Sequence, residues 1–305
     1  MTQTIAVVGV HVLDTHVLRV ESIPESSDGA VVDTIRMSAA GTAGGTGLVL
    51  SRLGADVHSI GALGDDPIAS VLTSLLAADG IDVSRLVTKE GVQTSSSVIP
   101  VRPNGDRPAW HCIGANGTLT LEDIDLTSVP GLTHVHLGGP EFLGGPAAGE
   151  LLAAAKAAGC TTSVDILAPG DPDLLAWIED CLPHTDYLLP NDEQVLGFTG
   201  ETDLAAGARA LVAKGAGCVA VTQGSKGAIV VTAEEEHEVP AFSIEVVDTT
   251  GCGDAFSAGF LLARAEGLGL AESARLGCAA AAQVATGVGT DAGDYDWDKV
   301  KAFAG

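Results

Sequence analysis

Short, unbroken apolar runs that alternate with helix-forming stretches constrain this chain more than any other feature. Ile5-Ala6-Val7-Val8-Gly9-Val10 offers no polar side chain to water, so it reads as a strand buried on both faces. Farther along, Val135–Leu137 leads to a helix over 147–158 and Thr161–Val164 to the segment 172–181. Tyr187–Leu189 leads to two short helices, and Cys218–Thr222 to a hairpin around Glu234–Glu236. This order predicts a parallel sheet covered by helices, because parallel neighbours need a crossover that packs on a face. Two patches break the rhythm by alternating. One carries Val17, Val20 and Ile23, a Ser/Asp/Gly turn at 26–29, then Val31, Val32 and Ile35; the other spans 94–113 about a turn at 103–106. Both read as half-exposed hairpins and predict a small separate sheet. The expected division is an α/β core of 1–12, 37–92 and 115–305, with a discontinuous β lid of 13–36 and 93–114.

Helix starts are legible in the same way. The run Ala43-Gly44-Gly45-Thr46-Gly47-Leu48 opens a helix carried to Leu53, and Gly54 ends it. Asp66 is the expected N-cap of another, with Pro67 at its first position.

Acidic residues outnumber basic ones by 40 to 15, and a net charge of −25 excludes nucleic acid and anionic membrane as partners. No apolar run approaches the roughly 20 residues that span a bilayer. The N-terminus lacks the basic region of a signal peptide. The six cysteines are scattered without a CxxC pair, which predicts reduced thiols and a cytoplasmic location.

The chemistry concentrates in Val247-Asp248-Thr249-Thr250-Gly251-Cys252-Gly253-Asp254-Ala255-Phe256. It reads as a strand, a glycine-rich turn and the first turn of a buried helix. Such a turn leaves backbone N–H groups unpaired where the helix dipole favours anions. Gly251 and Gly253 lack Cβ atoms, so a phosphate can approach the backbone closely. A carboxylate on that surface, Asp254, is costly there unless it has a task, which points to phosphoryl transfer with Asp254 as the base.

This stretch resembles the C-terminal signature of the ribokinase-like (PfkB) carbohydrate kinases, D-T-x-G-A-G-D-x-F, with Cys252 in place of the alanine. Ala43-Gly44-Gly45-Thr46-Gly47, with Arg52-Leu53-Gly54-Ala55 and Gly64-Asp65-Asp66, is similar to the N-terminal di-glycine signature, whose backbone lies against the substrate. The resemblance covers essentially the whole chain. It implies a three-layer α/β/α fold with a mostly parallel central sheet and a small β-sheet lid.

For the site, the resemblance implies catalysis by Asp254 with the backbone of Gly251, Cys252 and Gly253 as anion hole. Asp14, Gly44, Gly45 and Thr46 would meet the acceptor. Apart from the resemblance, Trp110 and His111 in the second alternating patch are expected to cover the substrate from the small sheet. Asn191, Thr222, Gly224, Gly227 and Gly289 would hold ATP, with the 279–282 helix and the 287–290 loop against adenine. Glu193 or Gln194 would serve Mg²⁺, in a motif whose glutamate position is Gln194 here. Asp248 and Thr250 would hold a monovalent cation, K⁺. Val49 stands where the family places a sugar-binding asparagine and leaves the acceptor open. The activity so implied is ATP-dependent phosphorylation of a primary hydroxyl on a sugar or sugar-like small molecule, in a homodimer paired through the lid. A nucleoside kinase is the alternative acceptor reading, and a non-catalytic sugar or nucleotide sensor the alternative of another class.

Overall fold

The computed structural model describes residues 3–103 and 106–305. In chain order the strands are β1 (Thr4–Gly9), β2 (Val12–Leu18), β3 (Ile35–Ala40), β4 (Asp56–Gly64), β5 (Asp82–Lys89), β6 (Ser96–Val101), β7 (Trp110–Cys112), β8 (His134–Gly138), β9 (Thr161–Asp165), β10 (Tyr187–Leu188), β11 (Cys218–Thr222), β12 (Ala228–Val231) and β13 (Glu236–Val239). The α-helices are α1 (Gly44–Arg52), α2 (Pro67–Ala78), α3 (Pro140–Leu143), α4 (Gly145–Ala157), α5 (Asp192–Thr199), α6 (Leu204–Ala213), α7 (Cys252–Ala265), α8 (Leu270–Val284) and α9 (Trp297–Ala304).

Among the described residues, nine strands form one sheet in the order β13-β12-β11-β10-β9-β8-β1-β4-β5. The sheet is parallel from β5 to β11, and β12 and β13 extend it antiparallel. Along β1 the side chains feed two layers in turn. Ile5 and Val7 join a cluster with Leu48, Leu72, Ala258 and Ala279, whereas Ala6 and Val8 join one with Leu137, Leu152 and Leu188. Burial on both faces is why this strand has no polar residue.

The remaining four strands form the small sheet, in the order β3-β2-β6-β7. Its first hairpin differs from the sequence expectation. β2 and β3 pair from Val12↔Ala40 to Val17↔Ile35, so Val20, Ile23, Val31 and Val32 lie in the connection and in no strand. Ile23 and Val31 are exposed there, which leaves nothing for a longer ladder to bury. Of the second expected turn, residues 104–105 lie outside the described residues. Asp66 caps α2 as expected, its Oδ1 accepting from the Ala69 N–H at 2.9 Å.

The chain winds from β1 to β4 on one side and from β8 to β9 on the other, so the crevice between β1 and β8 is the topological switch point. Both strands end there in glycine, Gly9 opposite Gly138. A Cβ on Gly138 would stand 2.4 Å from the Ala43 nitrogen. Its absence lets the loop before α1 enter the crevice, where the Ala43 and Gly44 N–H groups each bond the Val10 carbonyl at 3.1 Å. Gly47 then lets α1 lie on β1, since a Cβ there would stand 2.8 Å from a Val7 methyl.

Gly9 is tightly constrained, with φ +117° and the Gly138 carbonyl oxygen 2.1 Å from where a Cβ would sit. Gly9→Ala should therefore lower unfolding stability by about 2–4 kcal/mol, through backbone strain and overpacking together. Urea unfolding of the two proteins checks this, the midpoint falling at unchanged slope.

Candidate active site

Helix α7 begins where the sequence places the glycine-rich turn. Gly251 is its N-cap at φ 77°, and no side chain caps the helix. Only glycine suits that position, because a Cβ would stand 2.4 Å from Thr290 Oγ1. A Cβ on Gly253 would meet nothing within 4 Å, so the first turn of α7 opens to space on that side. The segment before the turn is not the expected strand. Val247 donates to the Ala285 carbonyl at 2.8 Å, and residues 240–249 join no ladder. Cys252 turns its thiol toward the Ala281 carbonyl at 3.7 Å, and burial pushes its pKa up to about 12. Its side chain stays a neutral packing group.

Asp254 is partly buried at the meeting of α7 and α1. A Cβ on Gly45 would stand 2.5 Å from Asp254 Oδ2, so only the bare backbone admits the carboxylate. The fully buried Thr46 donates to Asp254 Oδ1 at 3.3 Å, which makes it a partner of the acid. Burial lifts the pKa of Asp254 to about 7, against the Thr46 hydrogen bond and with help from the negative charge of Asp14. Asp165 beside it, and Glu141 beside Asp165, carry no motif in the sequence. Asp165, at the end of β9, is held well above the carboxylate range by burial and by Asp254, and Ser257 donates to it at 3.4 Å. Glu141 caps the backbone at Leu167 and Ala168 through Oε1, and its buried Oε2 has no partner.

The small sheet turns a polar face toward this site. Asp14 stands between its cross-strand neighbours Ser38 and Ser97, and His111 lies opposite Ser97 in the same row. Ser97 hydrogen-bonds both Asp14 and His111, the latter at 2.9 Å. The next row holds His16, fully buried, with Nε2 3.1 Å from Ser38 Oγ and Nδ1 unpartnered. Arg36, opposite His16, pairs with Asp291 at 2.9 Å. Burial raises the pKa of Asp14 and lowers that of His16.

Trp110 is a correction. It lies opposite Val98, one residue out of step with His111, so it belongs to the other face of the sheet and is 60% exposed. His111 holds the inward position. Val49 is fully buried in the core with Leu13 and Ala39, so it packs the interior.

On the other side of the turn lies a cleft of ≈ 550 Å³. Thr222, Gly224 and Gly227 line it together with Ala281, Ala282 and Ala285, and Gly253 borders it as well. Its size and mostly apolar wall suit a planar base. Gly289 is not in that wall. It donates to Asp248 Oδ2 at 3.0 Å, and a Cβ on it would stand 3.0 Å from Ser38 Oγ, which puts it beneath the small sheet.

Asn191 and Gln194 form a reciprocal cap of α5, at 2.8 Å and 2.9 Å. The buried Gln194 also donates from Nε2 to the carbonyls of Ile166 and Ala168 at 2.8 Å and 3.0 Å, so its amide is fixed by three contacts, with Oε1 turned to the Asn191 N–H. Glu193 is exposed. Among the described residues, no group of three or more His, Cys, Asp or Glu is arranged to hold a metal ion.

Arg107, between β6 and β7, is the residue the sequence reading missed altogether. It donates to Asp248 Oδ1 at 3.1 Å, to Thr249 Oγ1 at 2.6 Å and to Thr250 Oγ1. A lone arginine beside a turn carries no motif; its one signal is scarcity, as one of 15 cationic residues in an acidic chain.

Gln194→Glu would set a carboxylate oxygen against two carbonyl oxygens that now receive N–H bonds. We expect a loss of about 2–4 kcal/mol, read as a lower unfolding midpoint in urea at neutral pH, with partial recovery as acid protonates the new side chain.

The family model for pfkB family carbohydrate kinases matches residues 2–297. The chain is 29% identical over 246 residues to the bifunctional ribokinase/ribose-5-phosphate isomerase A of Fructilactobacillus sanfranciscensis, covering 79% of this chain and 45% of that protein. It is 30% identical over 245 residues to the ATP-dependent ribose-1-phosphate kinase of Halopiger xanaduensis, covering 80% of this chain and 79% of that one. Its fold matches Arabidopsis thaliana ribokinase, solved with ribose and ATP, at a TM-score of 0.84 and 23% identity, over 100% of this chain and 99% of that one. The parallel sheet, the small sheet over its carboxyl edge and the match across nearly all residues agree: the chain belongs to the pfkB family of carbohydrate kinases, which are ATP-dependent phosphotransferases.

Proposed function

We propose that the protein transfers the γ-phosphoryl group of ATP to a primary hydroxyl of a sugar or sugar-like small molecule, with Asp254 as general base. The observation that carries this reading is the place of Asp254: at the start of α7, against the bare Gly45 backbone, with a pKa lifted to about 7. A base of that strength is half ionised at neutral pH and can take the proton of an alcohol as its oxygen attacks phosphorus. The acceptor oxygen bonds the γ-phosphorus, the bond from phosphorus to the β–γ bridging oxygen breaks, and ADP leaves. Backbone N–H groups of Gly251–Gly253, at the positive end of the helix dipole, would stabilise the charge that develops on the phosphoryl oxygens. Asp14, flanked by Ser38 and Ser97, would accept hydroxyls of the acceptor.

Thr222, Gly224 and Gly227 in the cleft wall support ATP binding there. Mg²⁺ in this reading arrives with the phosphates and neutralises their charge. Gln194 does not fit it, and the exposed Glu193 fits contact through water.

The other face of the small sheet supports a homodimer through the lid. Ile35, Met37, Val98 and Trp110 are 63%, 49%, 43% and 60% exposed and share that face. No helix of the described residues is long and apolar enough to cross a membrane. The six cysteines are free, which supports a cytoplasmic location.

ADP release across a panel of sugars, sugar phosphates and nucleosides tests the activity. Asp254→Asn should lower kcat about 10²–10⁴-fold, and nucleotide binding without turnover on any acceptor would sink the enzyme reading in favour of a sensor. In the wild type kcat/KM should climb about tenfold per pH unit below about 7 and level off above it, as Asp254 loses its proton. Stability runs the other way. The folded-state pKa lies above the unfolded one, so the folded protein binds the extra proton between about 4 and about 7 and loses stability as pH rises through that window. Asp254→Asn should remove this slope and unfold at a higher temperature than wild type at pH 8. For assembly, light scattering should give a dimer, and Val98→Asp with Trp110→Asp a monomer; a wild-type monomer at micromolar concentration refutes the pairing.

A further inference from the structure

We propose that the guanidinium of Arg107 takes the place at Asp248 that the family resemblance assigns to a monovalent cation, so that this kinase binds its nucleotide without K⁺. The inference rests on the kinase reading above and concerns what holds the turn before α7.

Asp248 is the most enclosed acid of the turn, its side chain 1% exposed. A carboxylate so enclosed needs donors and an opposite charge. It has both. Oδ1 accepts from the Thr250 N–H at 2.9 Å, the Thr250 hydroxyl at 2.9 Å and Arg107 Nη1 at 3.1 Å, while Oδ2 accepts from the Gly289 N–H at 3.0 Å. Burial works against the ionised form, and the hydrogen bonds from Gly289 and Thr250, with the Arg107 charge, hold the pKa below its ordinary value.

These partners leave K⁺ poorly served. Three donors already saturate Oδ1, which has two lone pairs in the carboxylate plane. Thr250 Oγ1, the other expected ligand, donates to Asp248 and accepts from Arg107, so its oxygen is committed in both directions. A cation bound here would have to displace the guanidinium or share the carboxylate with it, and like charges at that range repel. The residues present do not fit the ion.

The source of the positive charge also differs from that of an ion drawn from solvent. Arg107 is carried by the connection between β6 and β7, so it belongs to the small sheet and reaches across to the turn of the main body. Its three contacts fasten Asp248, Thr249 and Thr250, the three residues before the helix N-cap Gly251. Arg107 is thus a positioning residue, which sets the turn whose N–H groups face the nucleotide.

Calorimetric titration of Mg²⁺ with a non-hydrolysable ATP analogue tests this on the full chain, in KCl and in choline chloride at equal ionic strength. Wild type should bind with the same Kd, within about twofold, in both salts. Arg107→Ala should bind about tenfold more weakly in choline chloride and recover about fivefold or more in KCl, as K⁺ enters the vacated place. Arg107→Lys, which keeps the charge, should not respond to K⁺. Thermal unfolding without nucleotide gives a second readout, a K⁺-specific rise in Tm confined to Arg107→Ala. Wild type tightened about fivefold or more by K⁺ overturns the proposal, and so does an Arg107→Ala protein blind to K⁺ in both measurements. If wild type binds no nucleotide in either salt, the kinase reading itself fails and takes this inference with it.

Discussion

Everything in this molecule follows from two backbones brought closer than side chains allow. At the switch point of the sheet, Gly9 and Gly138 pair at the carboxyl ends of β1 and β8, and the loop before α1 drops into the space a Cβ would fill. That descent puts Gly44 on the Val10 carbonyl and Gly47 on Val7. It also turns the Gly45 backbone toward the first turn of α7, where the carboxylate of Asp254 meets it. A parallel sheet offers one crevice of this kind, at the edge where neighbouring strands diverge to opposite layers. Gly9, Gly138, Gly44, Gly45 and Gly47 gather there, and the carboxylate of Asp254 lies against them.

Around that contact, similar carboxylates are driven to different states by what lies next to them. Asp248 is held ionised by backbone N–H groups and a guanidinium; Asp254, Asp14 and Asp165 are pushed toward the neutral form, first of all by burial. In a chain of −25 net charge, packing several ionised acids together would carry a heavy cost, and raising most of their pKa values avoids it. The arrangement leaves Asp254 titrating near neutrality, in the range useful to a base. The small sheet sorts its residues by the two-residue period of a strand, with Asp14, His16, Ser38 and Ser97 inward and Val98 and Trp110 outward.

Local pattern exposed much of this. The glycine-rich turn, the helix from Gly44, the Asp66 cap and the antiparallel hairpin at the far edge depend on neighbours in sequence, and each is found where expected. The misses share a cause. Trp110 and His111 are adjacent, and which of them faces the site depends on register against β6, settled by pairing across the sheet. Gln194 resembles a metal-site residue in sequence, yet carbonyls at Ile166 and Ala168, more than twenty residues away in the chain, claim its amide. Gly289 looked like part of an adenine loop, and it is Asp248 and Ser38 that fix it elsewhere.

By itself the sequence determined the class of fold, the family and the position of the glycine-rich turn at the start of α7. Those rest on periodicity, on glycine where only glycine fits, and on residues a few places apart. Tertiary structure alone decided that Arg107 crosses from the small sheet to Asp248, 141 residues away, and that Thr46 bonds Asp254 across 208. No local propensity encodes such contacts. An ion pair forms when folding brings two groups together out of water, and its partner is chosen by the packing of the whole chain.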